Sequence, residues 1–121
     1  MRYRTLVLTF TTMAFALGAG AYAQAPSTTP PAGNAQNGKK IFASYGCYQC
    51  HGYEAQGGPG ARLAPRPIAF AAFSRYVRQP TGEMPPYTVK VVSDKELADI
   101  YAFLQSISQP PAVKSIPLLN N

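Results

Sequence analysis

The sequence predicts an all-α domain of three to four short helices. Apolar residues recur at helical spacing in three separate segments, and two of these open on a good N-cap residue. No period-two pattern lasts more than a few residues. Gly (10) and Pro (12) are frequent in the 121 residues, above a combined average of ~12%, which keeps the helices short. The length allows one small domain and excludes a multidomain enzyme. Two Cys can close at most one disulfide, so this is no disulfide scaffold, and one His excludes any site that needs two.

Residues 1–23 have the layout of a cleaved secretory signal. Arg2 and Arg4 form a positive n-region, Leu6 to Leu17 an apolar h-region, and Ala21-Tyr22-Ala23 a small-residue cleavage site. The competing reading is a retained membrane anchor. Thr5, Thr9, Thr11 and Thr12 interrupt that stretch and leave it short of the ~20 apolar residues that span a bilayer. Cleavage after Ala25 is disfavoured because Pro26 follows the bond. The expected destination is the periplasm. Loss of Arg2 and Arg4 lowers the formal charge from +6 to about +4.

Residues 24–33, rich in Pro, read as a flexible linker. The first helix is expected over Asn34–Tyr45, with Asn34 as cap. Ala35, Gly38, Ile41, Phe42 and Tyr45 share one face. Gly38 costs about 1 kcal/mol there relative to Ala, and such a Gly usually marks close approach of another backbone. Gly46 ends the run. Gly52–Pro67 is a long Gly/Pro loop, and loops of that length are usually functional or organised around something bound. Ile68–Arg78 is a short amphipathic helix with Phe70, Phe73 and Val77 inward. Met84-Pro85-Pro86-Tyr87 is extended, because each Pro pushes its predecessor out of the α region. Ser93–Ile107 is the strongest helix. Ser93 and Glu96 make a capping box, and Leu97, Ile100, Tyr101, Phe103, Leu104 and Ile107 form the stripe. The domain is expected over residues 34–108, and residues 109–121 form a tail without a period.

A chain this small buries only part of its surface, and small scaffolds usually carry a staple. The sequence offers one in Cys47-Tyr48-Gln49-Cys50-His51. C-x-x-C-H is the attachment signature of a c-type haem. Two thiols separated by a two-residue gap add across two vinyl groups, and the adjacent imidazole can donate a nitrogen to iron. A thioredoxin-like redox site would need a βαβ context that is missing. Structural zinc would need a fourth ligand. A plain Cys47–Cys50 disulfide would leave His51 and the long loop unexplained.

The segments GKKIFASYGCYQCHG, ARLAP, EMPPY and ELADIYAFL together resemble a monohaem class I cytochrome c of the short bacterial periplasmic type, over about Asn34–Ser108. The resemblance implies the class I cytochrome c fold, with N- and C-terminal helices crossing, and a single covalent haem c with its iron. It implies metal ligation by His51 and by a downstream Met. After signal removal Met84 is the only Met left, and its Pro-rich setting matches the family's ligand loop. Met84 as an apolar gap-filler and Lys90 as the ligand are the competing assignments. Gly38 and Phe42 match one side of the helix crossing, Ile100 and Phe103 the other. Pro65 matches the proline whose carbonyl accepts from the His ring, with Pro59 and Pro67 as alternatives. Arg62, Tyr76 and Arg78 are candidates to meet the haem propionates, against a reading as solvated side chains.

The expected function is periplasmic electron transfer rather than catalysis. A peroxidase would need an open iron position and a distal acid–base group, and the only His is already used. The alternative is a cytochrome c subunit stably bound to a periplasmic dehydrogenase complex. Partners are expected to be a dehydrogenase donor and an oxidase or reductase acceptor with acidic docking surfaces, which suits the positive balance. The basic residues are dispersed, so nucleic-acid binding is not indicated.

Overall fold

The computed structural model describes residues 29–119. The expected signal segment and the first half of the expected linker lie outside them. Helix α1 spans Ala35–Ser44, α2 Cys47–His51, α3 Phe70–Arg78 and α4 Asp94–Ser106. Two 3-10 turns, Val113–Ser115 and Pro117–Leu119, give the tail some local order. No strand occurs among the described residues.

Helices α1 and α4 begin where the sequence provides a side-chain partner for orphan N–H groups, whereas α2 and α3 start at Gly46 and Ala69 without one. The Asn34 side chain accepts from the Asn37 amide at 2.9 Å. At α4 the Ser93 hydroxyl accepts from the Glu96 amide, while the Glu96 carboxylate accepts from the Ser93 amide at 2.8 Å. Both capping arrangements match the expectation. Between α1 and α2 the chain turns at Gly46, whose φ of 77° lies in the left-handed region, where a Cβ is disfavoured. The C-x-x-C-H motif therefore forms its own five-residue helix instead of the end of α1.

Helices α1 and α4 cross at Gly38. A Cβ at that position would collide with the Asp99 carbonyl and press on the Ile100 amide. The missing side chain lets the two backbones meet. Phe42 and Phe103 pack beside the crossing with ring centroids 5.5 Å apart. Gly33, the last residue of the expected linker, also lies against α4, at the Ala98 carbonyl.

Under the crossing sits the core of Ile41, Phe42, Leu97, Ile100, Tyr101, Phe103 and Leu104, joined by Phe73 and Val77 of α3. The Tyr101 hydroxyl donates to the Ile68 carbonyl at 2.9 Å. Its ring meets Phe70 edge-on at 5.1 Å and Phe73 at 5.4 Å. This anchors α3 against α4.

One buried charge reinforces the crossing. Asp99 is only 1% exposed. Its carboxylate accepts from the Asn34 amide at 2.7 Å, the Asn37 side-chain amide at 2.8 Å and Lys95 at 3.2 Å. The bonds from Asn34 and Asn37 hold its pKa below the ordinary value of 3.8.

Candidate functional site

Among the described residues, two concavities of similar size stand out, so volume does not choose between them. One, of about 800 Å³, is a shallow groove beside the ends of α1 and α4, with Lys39, Lys40 and Phe103 in its lining. The other, of about 790 Å³, lies between α1, α2, α3, the 79–92 loop and α4. Phe42, Phe73, Val77, Ile100 and Leu104 wall it, and Cys47, Cys50, His51 and Met84 all line it. Chemistry separates the two: soft and imidazole donors converge only in the second, on an otherwise apolar lining.

The α2 helix presents the motif. Cys47 and Cys50 are free thiols. Burial pushes the Cys47 thiol up, partly offset by backbone contact and by the Tyr87 hydroxyl. Burial likewise raises Tyr87, and the adjacent Cys47 raises it further. The end of α2 is closed by the Gly-rich loop. The Gly57 amide donates to the His51 carbonyl at 2.8 Å, and the Gly60 amide to the Cys50 carbonyl at 2.9 Å. The loop is thus organised around the motif itself, and at Gly60 it passes so close to the His51 ring that a side chain would collide with it.

That loop decides the orientation of His51. Its Nδ1 lies 2.7 Å from the Ala61 carbonyl. A carbonyl can only accept, so Nδ1 carries the proton and Nε2 keeps its lone pair for a metal. The expected acceptor, Pro65, does not fill this role, and neither do Pro59 or Pro67. The loop reaches the imidazole as soon as it has capped α2, four residues before Pro65. By Pro65 the chain has turned away: Leu63 and Ala64 donate to the Ala55 carbonyl at 2.9 and 3.1 Å, and a cis Ala64–Pro65 bond follows.

The three propionate candidates separate. Arg62 lines the cavity, with Nε donating to the Gln56 carbonyl at 3.2 Å. Tyr76 also lines it, and its hydroxyl proton goes to the Thr81 carbonyl at 2.7 Å. Arg78 does not line it. Its guanidinium donates to the Tyr87 carbonyl at 2.7 Å, the Val92 carbonyl at 2.6 Å and Asp94 at 2.7 Å. It is turned from the cavity because these three acceptors surround the end of α3. Arg66, not singled out from the sequence, is a second cation in the lining. Its setting between Pro65 and Pro67, two residues after Ala64 and four after Arg62, was the available signal. Ala61 and Gly60 left none, since one acts through its carbonyl and the other through having no side chain.

Met84 is held by its flanks. The Tyr87 amide donates to the Val77 carbonyl at 3.0 Å, and the Tyr87 hydroxyl to the Tyr45 carbonyl at 3.1 Å. The segment that carries Met84 is therefore tied both to α3 and to the end of α1. Two thiols, an imidazole with a bare nitrogen, a thioether and apolar walls fit a c-type haem.

A family model described as cytochrome C oxidase, cbb3-type, subunit III matches residues 33–104. The chain belongs to this cytochrome c family. Comparison with curated proteins and with solved structures gives no match. The family match covers α1 to α3, all but the last two residues of α4, and every residue that lines the cavity. A monohaem class I cytochrome c carries a covalent haem c with its iron, and Cys47 and Cys50 are placed for its two thioether bonds. Haem-based electron transfer to and from redox partner proteins is the activity of such a cytochrome. Among the described residues no helix is long and apolar enough to cross a membrane.

Proposed function

We propose that the protein is a periplasmic electron-transfer cytochrome with His51 and Met84 as axial ligands. The observation that carries this reading is the convergence of Cys47, Cys50, His51 and Met84 on one apolar cavity. When bound, the haem supplies a one-electron Fe(III)/Fe(II) couple, and His/Met ligation sets its potential high. The chain does the rest. Ala61 holds the imidazole in the tautomer that leaves Nε2 bare and makes it a stronger donor. The 79–92 loop presents the Met84 thioether. Phe42, Phe73 and Leu104 keep water from the interior, which limits the rearrangement that accompanies a change of charge. The single His is used at the proximal position, leaving none for distal acid–base work, so a carrier is favoured over a peroxidase.

The signal-like residues 1–23 support export to the periplasm. The positive balance favours partners with acidic docking surfaces, a dehydrogenase as donor and an oxidase or reductase as acceptor. A second reading is an electron-transfer subunit held in a larger complex, such as a periplasmic dehydrogenase. It is favoured by the tail, where Val113, Leu118 and Leu119 are 65%, 84% and 61% exposed, an apolar surface suited to contact with another protein.

The test of the ligand set is the absorption spectrum of the haem-loaded protein, oxidised and reduced. The oxidised form should show a sulfur-to-iron charge-transfer band at the red edge. Met84→Ala should abolish it and lower the midpoint potential. A wild-type protein without the band, or a variant that keeps both band and potential, overturns Met84 as ligand.

A further inference from the structure

We propose that Arg78 is a positioning residue, a clamp that closes the 79–92 loop and thereby fixes Met84 over the cavity. The loop leaves α3 at Gln79 and must return to α4 at Asp94. Arg78 sits at its exit, and one guanidinium joins three points on its return path. Nη1 donates to the carbonyls of Tyr87 and Val92 at 2.7 and 2.6 Å, and Nη2 to the Asp94 carboxylate at 2.7 Å. The Arg78 side chain is 16% exposed, whereas that of Asp94 is 81% exposed. The two carbonyl bonds are therefore the sheltered part of the clamp, and the ion pair is its solvated edge.

The geometry suits arginine alone. A planar fork with five donors can serve two carbonyls and a carboxylate together, whereas a lysine ammonium offers one point of charge on a flexible stem. Without the clamp, the Tyr87 and Val92 carbonyls lose a charged donor. The remaining ties of the loop are neutral. They include the Tyr76 hydroxyl to the Thr81 carbonyl at 2.7 Å, the Tyr87 amide to Val77, the Tyr87 hydroxyl to Tyr45, and the Val91 and Val92 amides to the Thr88 carbonyl, both at 3.0 Å. Met84 lies between Arg78 and Tyr87, so opening at Tyr87 releases the thioether while α1 and α4 keep their own crossing. The spectroscopic arm of the test rests on Met84 as ligand, and the exchange arm does not.

The experiment compares haem-loaded wild type, Arg78→Gln and Arg78→Lys. Hydrogen exchange at the Tyr87, Val91 and Val92 amides should accelerate about ten- to hundred-fold in Arg78→Gln, with α1 amides changed much less. Arg78→Lys should recover only part of the protection. In oxidised Arg78→Gln the charge-transfer band should vanish at a lower denaturant concentration than the helical circular dichroism signal. Exchange that rises equally in the loop and in α1, or in neither, overturns the clamp. Full recovery by Lys also overturns it. If the wild-type protein lacks the band, the ligand assignment fails and the exchange data alone decide the clamp.

Discussion

Gly60 shows how closely the site depends on single atoms. A Cβ there would stand 2.9 Å from His51 Cε1, 3.0 Å from Nδ1 and 3.2 Å from Cys50 Cβ. All three belong to groups held at both ends, the ring by Ala61 and the helix by its own bonds. Gly60→Ala must therefore push the loop away from the ring and lengthen the Nδ1 bond to Ala61. With His51 as the proposed axial ligand, a weaker bond makes the imidazole a poorer donor, which favours the reduced iron. The expected result is a higher midpoint potential in a redox titration, with about 1–3 kcal/mol of lost stability from overpacking. An unchanged potential would mean that the ring tolerates the methyl without moving. The contrast with the cysteines explains what the sequence could reveal at this scale. Cys47, Cys50 and His51 act through side chains at a fixed spacing, so a pattern of letters exposes them. Ala61 acts through a carbonyl that every residue has, and its role depends on where the loop passes. Arg78 reads in the sequence as a candidate for the haem propionates, but carbonyls nine and fourteen residues away turn it from the cavity.

At the scale of elements, the α1–α4 crossing was legible and the 52–69 connection was not. Helical periodicity and caps announce α1, α3 and α4 within a residue or two of their observed ends. The Gly in the middle of an apolar face signals close approach of another backbone, and the family resemblance implies that the C-terminal helix supplies it. The connection has no period, and its course is set by amides that cap α2 and by the Ala55 carbonyl. Residue type announces none of these bonds. Gly38→Ala tests the crossing directly. The substitution improves helix propensity by about 1 kcal/mol. Against this stands a collision with the Asp99 carbonyl, which is backbone and cannot rotate aside as a side chain would. Overpacking typically costs about 1–3 kcal/mol, and more where the neighbour is rigid. Denaturant unfolding of the haem-loaded variant should therefore show a net loss of about 2 kcal/mol. A gain in stability would show that the helices can separate at Gly38 without penalty.

At the scale of the whole molecule, the described residues form a small set of helices closed at the α1–α4 crossing, with the cavity lined by Cys47, Cys50, His51 and Met84 beneath it. The closure at α1 and α4 combines apolar burial with one nearly inaccessible carboxylate. Asp99 accepts from both Asn34 and Asn37, so it joins the start of α1 to the middle of α4. Its folded pKa lies below the ordinary 3.8, first through the Asn34 amide and next through the Asn37 side chain. Glu96 is lowered from 4.5 in the same direction, chiefly by the Ser93 amide. For a carboxyl whose pKa is depressed by folding, the unfolded chain binds protons first. The stabilisation is fully present above the unfolded pKa and disappears as pH falls through the folded one. The whole fold should therefore weaken in acid below the ordinary carboxylate range, and Asp99 should account for part of that loss. Asp99→Asn removes the charge but keeps a carbonyl oxygen that can still accept. It should cost about 1–3 kcal/mol at neutral pH, the worth of one or two bonds to a charged acceptor. In acid the two proteins should converge, because protonated Asp99 has lost the same charge. Unfolding free energies of haem-loaded wild type and Asp99→Asn, measured from about pH 7 down to about pH 3, check this. Curves that stay parallel across that range would show that the latch does not depend on the charge of Asp99.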